Sequence, residues 1–109
     1  MKRILSIETV RQLDDCPDGS YLEQGGFEER LEQYRDNQFY FIGIRAKAEV
    51  QFEDNGAIQT LQSGGLWGIE SDSDEDYLKS VEQEEIDQLI DTLKAAGFAQ
   101  EMIDEALIA

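Results

Sequence analysis

Histidine is absent from this chain of 109 residues, and cysteine and proline occur once each. Without histidine, neither a Ser-His-Asp triad nor a Cys-His pair can be assembled for nucleophilic catalysis. The single cysteine, Cys16, excludes an intrachain disulfide and a thiolate metal cluster, and its acidic neighbours disfavour a reactive thiolate. Pairs of carboxylates arise by chance among 25 acidic residues, so none of them indicates acid–base catalysis. We therefore expect no enzymatic activity and no cofactor.

Basic residues are scarce as well. Nine Lys and Arg stand against 25 Asp and Glu, which gives a formal net charge of −16. Nucleic acids and anionic membrane surfaces are bound through basic footprints, so we expect no direct binding to either. No apolar run approaches the roughly 20 residues of a membrane span. The apolar run near the N-terminus is broken at Glu8, too early for a signal peptide. These features predict a cytoplasmic protein.

The composition is nevertheless that of a folded chain. Hydrophobic residues make up 40% of the sequence, and one Trp, four Tyr and five Phe distinguish it from a disordered acidic tail. The length is that of one domain, which we expect to span residues 1–109. The acidic excess is uneven, because residues 70–109 hold 13 acidic and 2 basic residues. Most of the charge that needs an explanation therefore lies in the last third of the chain.

An alternation of period two predicts the clearest strand. From Ile42 to Phe52 every second residue is apolar, and the residues between are mostly polar or charged. This pattern is typical of an antiparallel sheet that has one face in water. The sequence around it predicts a strand over 4–10 (a short helix fits equally), a turn over 14–20, a hairpin turn at Asp54-Asn55-Gly56, a returning strand over 57–62, a turn or bulge at 63–65 and a short strand over 66–69.

Helical periodicity predicts one long helix and two short ones. In the last third of the chain, apolar residues recur at spacings of three and four between the potential N-caps Asp72 and Ser73 and the C′ residue Gly97. The long acidic helix is predicted over 74–96, and the short helices over 27–35 and 100–108. Together these elements predict an α+β fold. A three- to four-stranded antiparallel sheet, a meander, is packed on one face by the long acidic C-terminal helix plus short helices.

Two motifs resemble ligand sites without meeting their requirements. Asp72-Ser73-Asp74-Glu75-Asp76 opens like a calcium loop, but Tyr77 and Gln83 stand where such a loop needs Gly and Glu. Helix capping explains these acids without a metal, so we predict no metal site and keep a divalent ion as the alternative. Gly64-Gly65-Leu66-Trp67-Gly68 lacks the Lys and Ser/Thr of a phosphate loop. Its glycines are better explained as residues that let strands turn and let the backbone pass a large ring.

Four acids of the long helix lie opposite its apolar stripe on a helical wheel: Asp76, Glu84, Asp87 and Asp91. They span about 22 Å at 1.5 Å per residue. A charged run is usually a solvated face, yet the last three repel one another at spacings of three and four with only Lys94 to relieve them. We predict these four as partner-binding residues. Trp67 joins them as a candidate interface anchor, although a core position is the favoured interpretation of this tryptophan.

Glu82 is the exception to the wheel, because its position falls inside the apolar stripe. An unpaired buried carboxylate is too costly to persist. Either the first turns of the helix overhang the core, or Glu82 pairs with Arg45, Lys47 or another base. We favour the overhang or an exposed flank.

The stretch Ser63-Gly64-Gly65-Leu66-Trp67-Gly68-Ile69-Glu70-Ser71-Asp72-Ser73 carries a resemblance to known proteins. With residues 20–24, 26–28, 43–50, 59–61 and 77–78, it resembles a group of small uncharacterised proteins from bacteriophages and other mobile elements. The resemblance covers about residues 20–98, and the Trp-containing stretch is its specific part. It implies a genomic setting and no activity or functional residues.

Three hypotheses of function follow. The first is an acidic protein that binds a basic partner surface, in its concrete form a nucleic-acid mimic that inhibits a host restriction or CRISPR enzyme. The second is a structural or regulatory interaction module that uses the charged sheet face or the Trp67 region, with acidity serving solubility. The third, an enzyme or metal protein, ranks last because the residues for such chemistry are missing.

Overall fold

The alternating segment forms the central strand of an antiparallel sheet. The computed structural model describes residues 2–15, 17, 20–23 and 26–108. Within these residues the sheet has four strands: β1 (Arg3–Leu13), β2 (Phe41–Gln51), β3 (Gln59–Gln62) and β4 (Leu66–Glu70). The strand order is β1-β2-β3, β4 also pairs with β2, and every pairing is antiparallel. The predicted α+β fold is confirmed. Cys16 and two more residues of the predicted turn at 14–20 lie outside the described residues.

β3 and β4 lie end to end along the same edge of β2. Lys47 pairs with Gln62, and Ile44 pairs with Leu66, so the two strands follow one another on a shared neighbour. Residues 63–65 separate them, where the sequence predicts a turn or bulge. β4 therefore continues β3 instead of folding back on it, and the sheet is three strands wide. The β2–β3 hairpin is present, but its loop covers residues 52–58 and is longer than the predicted tight turn.

The three predicted helices are present as α1 (Glu28–Arg35), α2 (Glu75–Ala95) and α3 (Gln100–Ile108), and one 3-10 turn forms at Ser20–Glu23. The N-cap of α2 is Asp74, and not the predicted Asp72 or Ser73, and its side chain accepts a hydrogen bond from the Asp76 amide at 3.2 Å. At the other end, Lys2 donates a hydrogen bond from Nζ to the Ala96 carbonyl at 2.9 Å. Gly97 follows with φ 93°, a conformation that favours glycine. Both ends of α2 are therefore capped.

One face of the sheet packs on α2 and α3. Ala46 and Ala48 are small, so α2 approaches the centre of β2 closely, while α3 packs on β1. The buried residues on this face form two clusters, the first of Ala46, Ala48, Val50, Leu89, Leu93, Phe98 and Ile103 and the second of Ile42, Ile44, Ile69, Leu78 and Val81. This face holds most of the core.

The opposite face of the sheet is covered at one end only. There Phe41 packs with Leu22 and Phe39, and α1 adds Leu31 and Tyr34. Further along β2 the same face carries alternating polar side chains that bond across strands. Those bonds run from Arg45 to Gln12 and Gln62, from Lys47 to Glu8 and from Thr60 to Glu49. The predicted charged face is therefore present, and it is open.

Candidate functional site

Arg11 joins the first turns of α2 to β1. Its Nη2 lies 2.6 Å from Oε1 of Glu75 and 2.9 Å from Oε1 of Glu82. Thr9 donates a further hydrogen bond from Oγ1 to Oε2 of Glu82 at 2.8 Å. The favoured explanations of Glu82, an overhang or an exposed flank, are thus wrong, because its side chain is only 20% exposed and is paired. The alternative of a basic partner is correct, with Arg11 as that partner. Arg11 lies on β1 beside α2, whereas Arg45 and Lys47 lie on the opposite sheet face.

The carboxyl group of Glu82 has a lowered pKa, chiefly because Arg11 donates hydrogen bonds to it and also because Thr9 does. A folded-state pKa below the unfolded value stabilises the fold above the unfolded pKa, and this contribution is lost as the pH falls through the folded pKa. We expect Glu82→Gln to lower the free energy of unfolding by about 1 kcal/mol at pH 7, a value discounted for solvent screening.

The same difference should shrink as the pH falls through the lowered folded-state pKa of Glu82 and vanish below it, where both proteins carry a neutral side chain. Urea unfolding of the two proteins across this pH range measures it. Glu84→Gln is the matched control, because Glu84 is exposed on the same helix; relief of its repulsion with Asp87 should raise the free energy of unfolding by no more than about 0.5 kcal/mol, the opposite direction to Glu82→Gln. A Glu82→Gln difference that stays constant with pH would contradict the ion-pair explanation.

Arg30 forms a second ion-pair cluster at the end of β4. Its Nη2 lies 2.5 Å from Oε1 of Glu70 and 2.8 Å from Oδ1 of Asp72, and its guanidinium stacks 3.9 Å from the Phe39 ring centroid. Burial and a hydrogen bond to Glu70 raise the pKa of Tyr21 to about 12. The hydrogen bond from Arg30 lowers the pKa of Asp72. This cluster ties α1 to the sheet.

The acids of the calcium-like stretch therefore have partners within the protein. Asp72 binds Arg30, Asp74 caps α2, and Glu75 binds Arg11. Among the described residues, no group of three or more metal-ligating side chains is arranged to hold a metal ion. The stretch thus has a structural explanation in the capping and anchoring of α2.

The four predicted helix acids are all exposed on α2: Asp76, Glu84, Asp87 and Asp91. Glu84, Asp87 and Asp91, here called the acidic stripe, follow one another at spacings of three and four. Asp87 accepts a hydrogen bond from Nε2 of Gln83 at 3.0 Å. In the part of the chain that the structure describes, no base lies within ion-pair distance of the stripe. Asp76 lies two turns earlier, beside the positive end of the helix dipole.

The bases that form ion pairs in the described residues bind acids within the sheet or acids that connect the sheet to the helices. Arg11, Arg30 and Lys47 bind acids of α2, β4 and β1, and Lys2 binds the end of α2. α2 itself contains only Lys79 and Lys94 as bases. The charges are therefore segregated, with positive groups used for internal contacts and negative groups left on the outer side of α2.

Trp67 lies on the sheet face opposite α2, and 44% of its surface is exposed. Its ring packs against Gly43 of β2, where a Cβ atom would overlap the six-membered ring. Trp67 also donates a hydrogen bond from Nε1 to the Gly64 carbonyl at 3.4 Å. The interpretation of Trp67 as a core residue is thus wrong. One side of its ring packs on Gly43, and the other side is exposed. The structure does not bring Trp67 together with the acidic stripe.

Glu85 carries a buried carboxylate that the sequence patterns did not predict. Glu85 is 3% exposed, and its Oε1 accepts hydrogen bonds from Ser63 Oγ at 2.7 Å and from the Gly65 amide at 2.8 Å. The Ala46 amide in turn donates to Ser63 Oγ at 2.9 Å. The available signal was position, since Glu85 stands four residues from both Val81 and Leu89 in the apolar stripe. Gly65 has φ 84°, and its amide donates to this carboxylate. The glycine-rich stretch that was compared with a phosphate loop therefore binds an acceptor within the protein.

No family model, curated protein or solved structure matches this chain. The resemblance to proteins of mobile elements accordingly stays a prediction. None of the helices in the described ranges is long and apolar enough to cross a membrane. A proposal of function therefore rests on two surfaces, the acidic stripe of α2 and the open sheet face with Trp67.

Proposed function

We propose that this chain is a non-catalytic binding protein that engages a basic partner surface through the acidic stripe of α2. The observation that carries the proposal is the segregation of charge around α2. Glu84, Asp87 and Asp91 are exposed and lie beyond ion-pair distance of the bases in the described residues, whereas Glu75 and Glu82 on the same helix are paired. A basic partner supplies the charges that the stripe lacks.

The energetics favour a partner over a solvated face alone. Like charges at spacings of three and four destabilise a helix by about 0.2–0.5 kcal/mol per pair. The stripe contains two such pairs, and Lys94 in the last turn is its nearest base along the helix. A partner that places Lys or Arg against the stripe removes this repulsion and adds attraction, so binding is stronger for the same contact area.

A finer form of the proposal is a nucleic-acid mimic that inhibits a nuclease or effector of a host defence system. From Glu84 to Asp91 the helix rises about 10 Å, so the mean spacing of the three charges is about 5 Å. One DNA strand carries a phosphate about every 3.4 Å. The stripe thus has about two thirds of the charge density of one strand. Mimicry of a duplex needs a second acidic row, for which α3 offers the exposed Glu101, Asp104 and Glu105.

A second candidate function is favoured by one observation, the exposure of Trp67 on an open sheet face. Tryptophan is enriched among residues that dominate binding energy at interfaces. In this form the protein is a structural or regulatory interaction module, and its acidity serves solubility. Trp67→Ala then abolishes capture of the partner without unfolding the protein, and changes on α2 have little effect.

The acidic stripe is tested by neutralising it and comparing a variant of equal charge. The stripe variant is Glu84→Gln/Asp87→Asn/Asp91→Asn, and the matched control is Glu29→Gln/Glu32→Gln/Asp36→Asn, three exposed acids at α1 on the other face of the sheet. Calorimetric titration with an arginine-rich peptide at low and physiological salt measures affinity. Three exposed charge contacts of about 0.2–1 kcal/mol each predict a loss of about 3- to 150-fold for the stripe variant. We expect a loss of less than about threefold for the control, and weaker binding of the wild type as salt rises.

Equal losses in the two triple variants would show that only net charge matters and would overturn the role of the stripe. For the finer form, the unaltered protein should displace duplex DNA from a basic DNA-binding protein, and the stripe variant should not. Failure of displacement with binding retained would remove nucleic-acid mimicry and leave the binding of basic surfaces.

A further inference from the structure

The outer edge of the β3–β4 column is open. Both strands pair with β2, and no other described strand bonds to their far side. The Ser63 amide donates to the Ala46 carbonyl at 2.9 Å, and in an antiparallel ladder the inward and outward backbone groups alternate. Thr60 and Gln62 therefore direct their amides and carbonyls outward. Three of the four residues of β3 are exposed, and so is Ile58 just before it. An open edge of this kind is a template for another strand.

A groove runs beside the edge of β4. It has a volume of about 330 Å³, and it is lined by Leu66, Trp67, Gly68, Ile69, Glu70, Ser73 and Tyr77. One side is β4 itself, and the other is Ser73 and the first turn of α2 with Tyr77. Leu66 and Tyr77 are 39% and 49% exposed, so the groove is partly apolar and accessible. This edge groove can hold an extended chain between a strand and a helix.

The wall of the groove continues along α2 as a line of acids. Glu82 bonds to β1 and Glu85 bonds to the β3–β4 break, so direct contacts fix the rotation of the helix. Tyr77 lines the groove, and residues seven apart in a helix stay in nearly the same direction. Glu84 and Asp91 follow Tyr77 at that spacing. They therefore lie on the side of α2 that faces the open edge of β3–β4.

Charge complementarity favours a basic occupant of this edge. Lys79 is close enough to Glu75 for its charge to lower the pKa of that carboxyl group, and Glu75 binds Arg11 of β1. Lys79 therefore lies on the β1 side of α2, away from the open edge of β3–β4. A second copy of the chain would bring another net charge of −16 to the same edge, and this repulsion disfavours it. A chain with basic side chains meets the acids of α2 instead. Main-chain hydrogen bonds and alternate side chains together are the usual means by which a sheet edge binds a peptide.

We propose that the open edge of β3–β4 binds an extended basic polypeptide segment as an added β-strand, with its basic side chains against Glu84 and Asp91. This inference rests on the proposed function, because it specifies the conformation in which the basic partner is bound. Along the strand, every second side chain faces α2, so a segment with basic residues at alternate positions fits the acids. Leu66 and Tyr77 receive an apolar or aromatic residue at the end of the groove.

The test compares two peptides of equal charge. One alternates Lys and Val over about six residues, the length of a typical strand, and the other has the same sequence with every amide N-methylated. N-methylation of every amide removes the backbone donors on both edges and leaves the charges. We expect the unmodified peptide to bind about tenfold tighter or better, which is the effect of losing several main-chain hydrogen bonds. Hydrogen-exchange protection on binding should map to residues 59–70 and not to β1.

Two protein variants of equal charge change complete the test. Tyr77→Lys places a positive charge in the edge groove, and Gln83→Lys places one on an exposed position of α2 away from it. We expect a loss of about fivefold or more for Tyr77→Lys and a smaller one for Gln83→Lys.

Equal affinity for the two peptides, or protection confined to α2, would overturn strand addition. The proposed function would then still stand if the stripe variant bound the peptides more weakly, and it would fail if that variant bound them normally. Protection of residues 59–70 that grows with protein concentration in the absence of peptide would show that a second copy occupies the edge, which also overturns the proposal.

Discussion

Replacement of Gly43 by alanine should lower the free energy of unfolding by about 2 kcal/mol and release Trp67 from its seat on β2. A Cβ atom at position 43 would overlap Cε3, Cζ3 and Cδ2 of the Trp67 ring. The indole is rigid and Gly43 is held between two strands, so the ring has to move. Since Trp67 is the only tryptophan, its fluorescence reports the change directly, with emission shifted to the red as exposure rises.

The double variant Gly43→Ala/Trp67→Ala separates this clash from other effects. With the ring gone, alanine at 43 should cost little or stabilise by about 0.5 kcal/mol, because it reduces the entropy of the unfolded chain. Gly64→Ala is the matched control, since a Cβ atom there meets nothing within 4 Å. Urea unfolding measures the wild type, these three variants and Trp67→Ala, which is the reference for the double variant. A cost for Gly43→Ala that persists without Trp67 would show that the packing of this ring is not its cause.

Glu85→Ala should lower the free energy of unfolding by about 3 kcal/mol. The substitution leaves the Ser63 hydroxyl and the Gly65 amide without their acceptor in the interior, and it opens a cavity between α2 and the sheet. Glu85→Gln should cost less, because its amide oxygen still accepts both bonds. Glu84→Ala, the exposed neighbour, should change stability by no more than about 0.5 kcal/mol.

A double-mutant cycle with Ser63→Ala assigns part of this cost to the hydrogen bond. Residues that share a buried hydrogen bond are coupled by about 0.5–3 kcal/mol, so the combined variant should be more stable than additive losses predict. Strict additivity of Glu85→Ala and Ser63→Ala would contradict a direct link between the two side chains. The measurement is again urea unfolding, at neutral pH.

The backbone elements of this protein were largely predictable because local patterns specify them. The alternation from Ile42 to Val50 matches β2. The spacing of apolar residues and Gly97 place the ends of α2 within one residue, although the N-cap is Asp74 and not the predicted Asp72 or Ser73. The pairing of β4 was not visible. Whether a short strand after a glycine-rich break folds back or continues along β2 depends on what lies beside it in space, and no local pattern contains that information.

The polar side chains also divide into those whose position follows from the local sequence and those whose position depends on distant residues. Exposure of Glu84, Asp87 and Asp91 follows from a helical wheel alone. Glu82 and Glu85 lie close together on that wheel, and the sequence drew attention to Glu82 only. Their partners, Arg11 in one case and the Ser63 to Gly65 segment in the other, come from distant parts of the chain. The position of the Trp67 ring also depends on a distant residue, because the ring packs on Gly43 of β2. The residues next to Trp67 in the sequence do not reveal this contact.

The position of β2 has a consequence for the kinetics of folding. Each of the other strands bonds to β2, and β1 reaches it from across the whole segment that contains α1. Sheets built from such distant pairings fold more slowly than helical proteins of the same size, because loop closure costs entropy before any contact is gained. The hairpin of β2 and β3 is the most local of these pairings. The sheet can therefore nucleate there and grow outward, with the attachment of β1 as a late step.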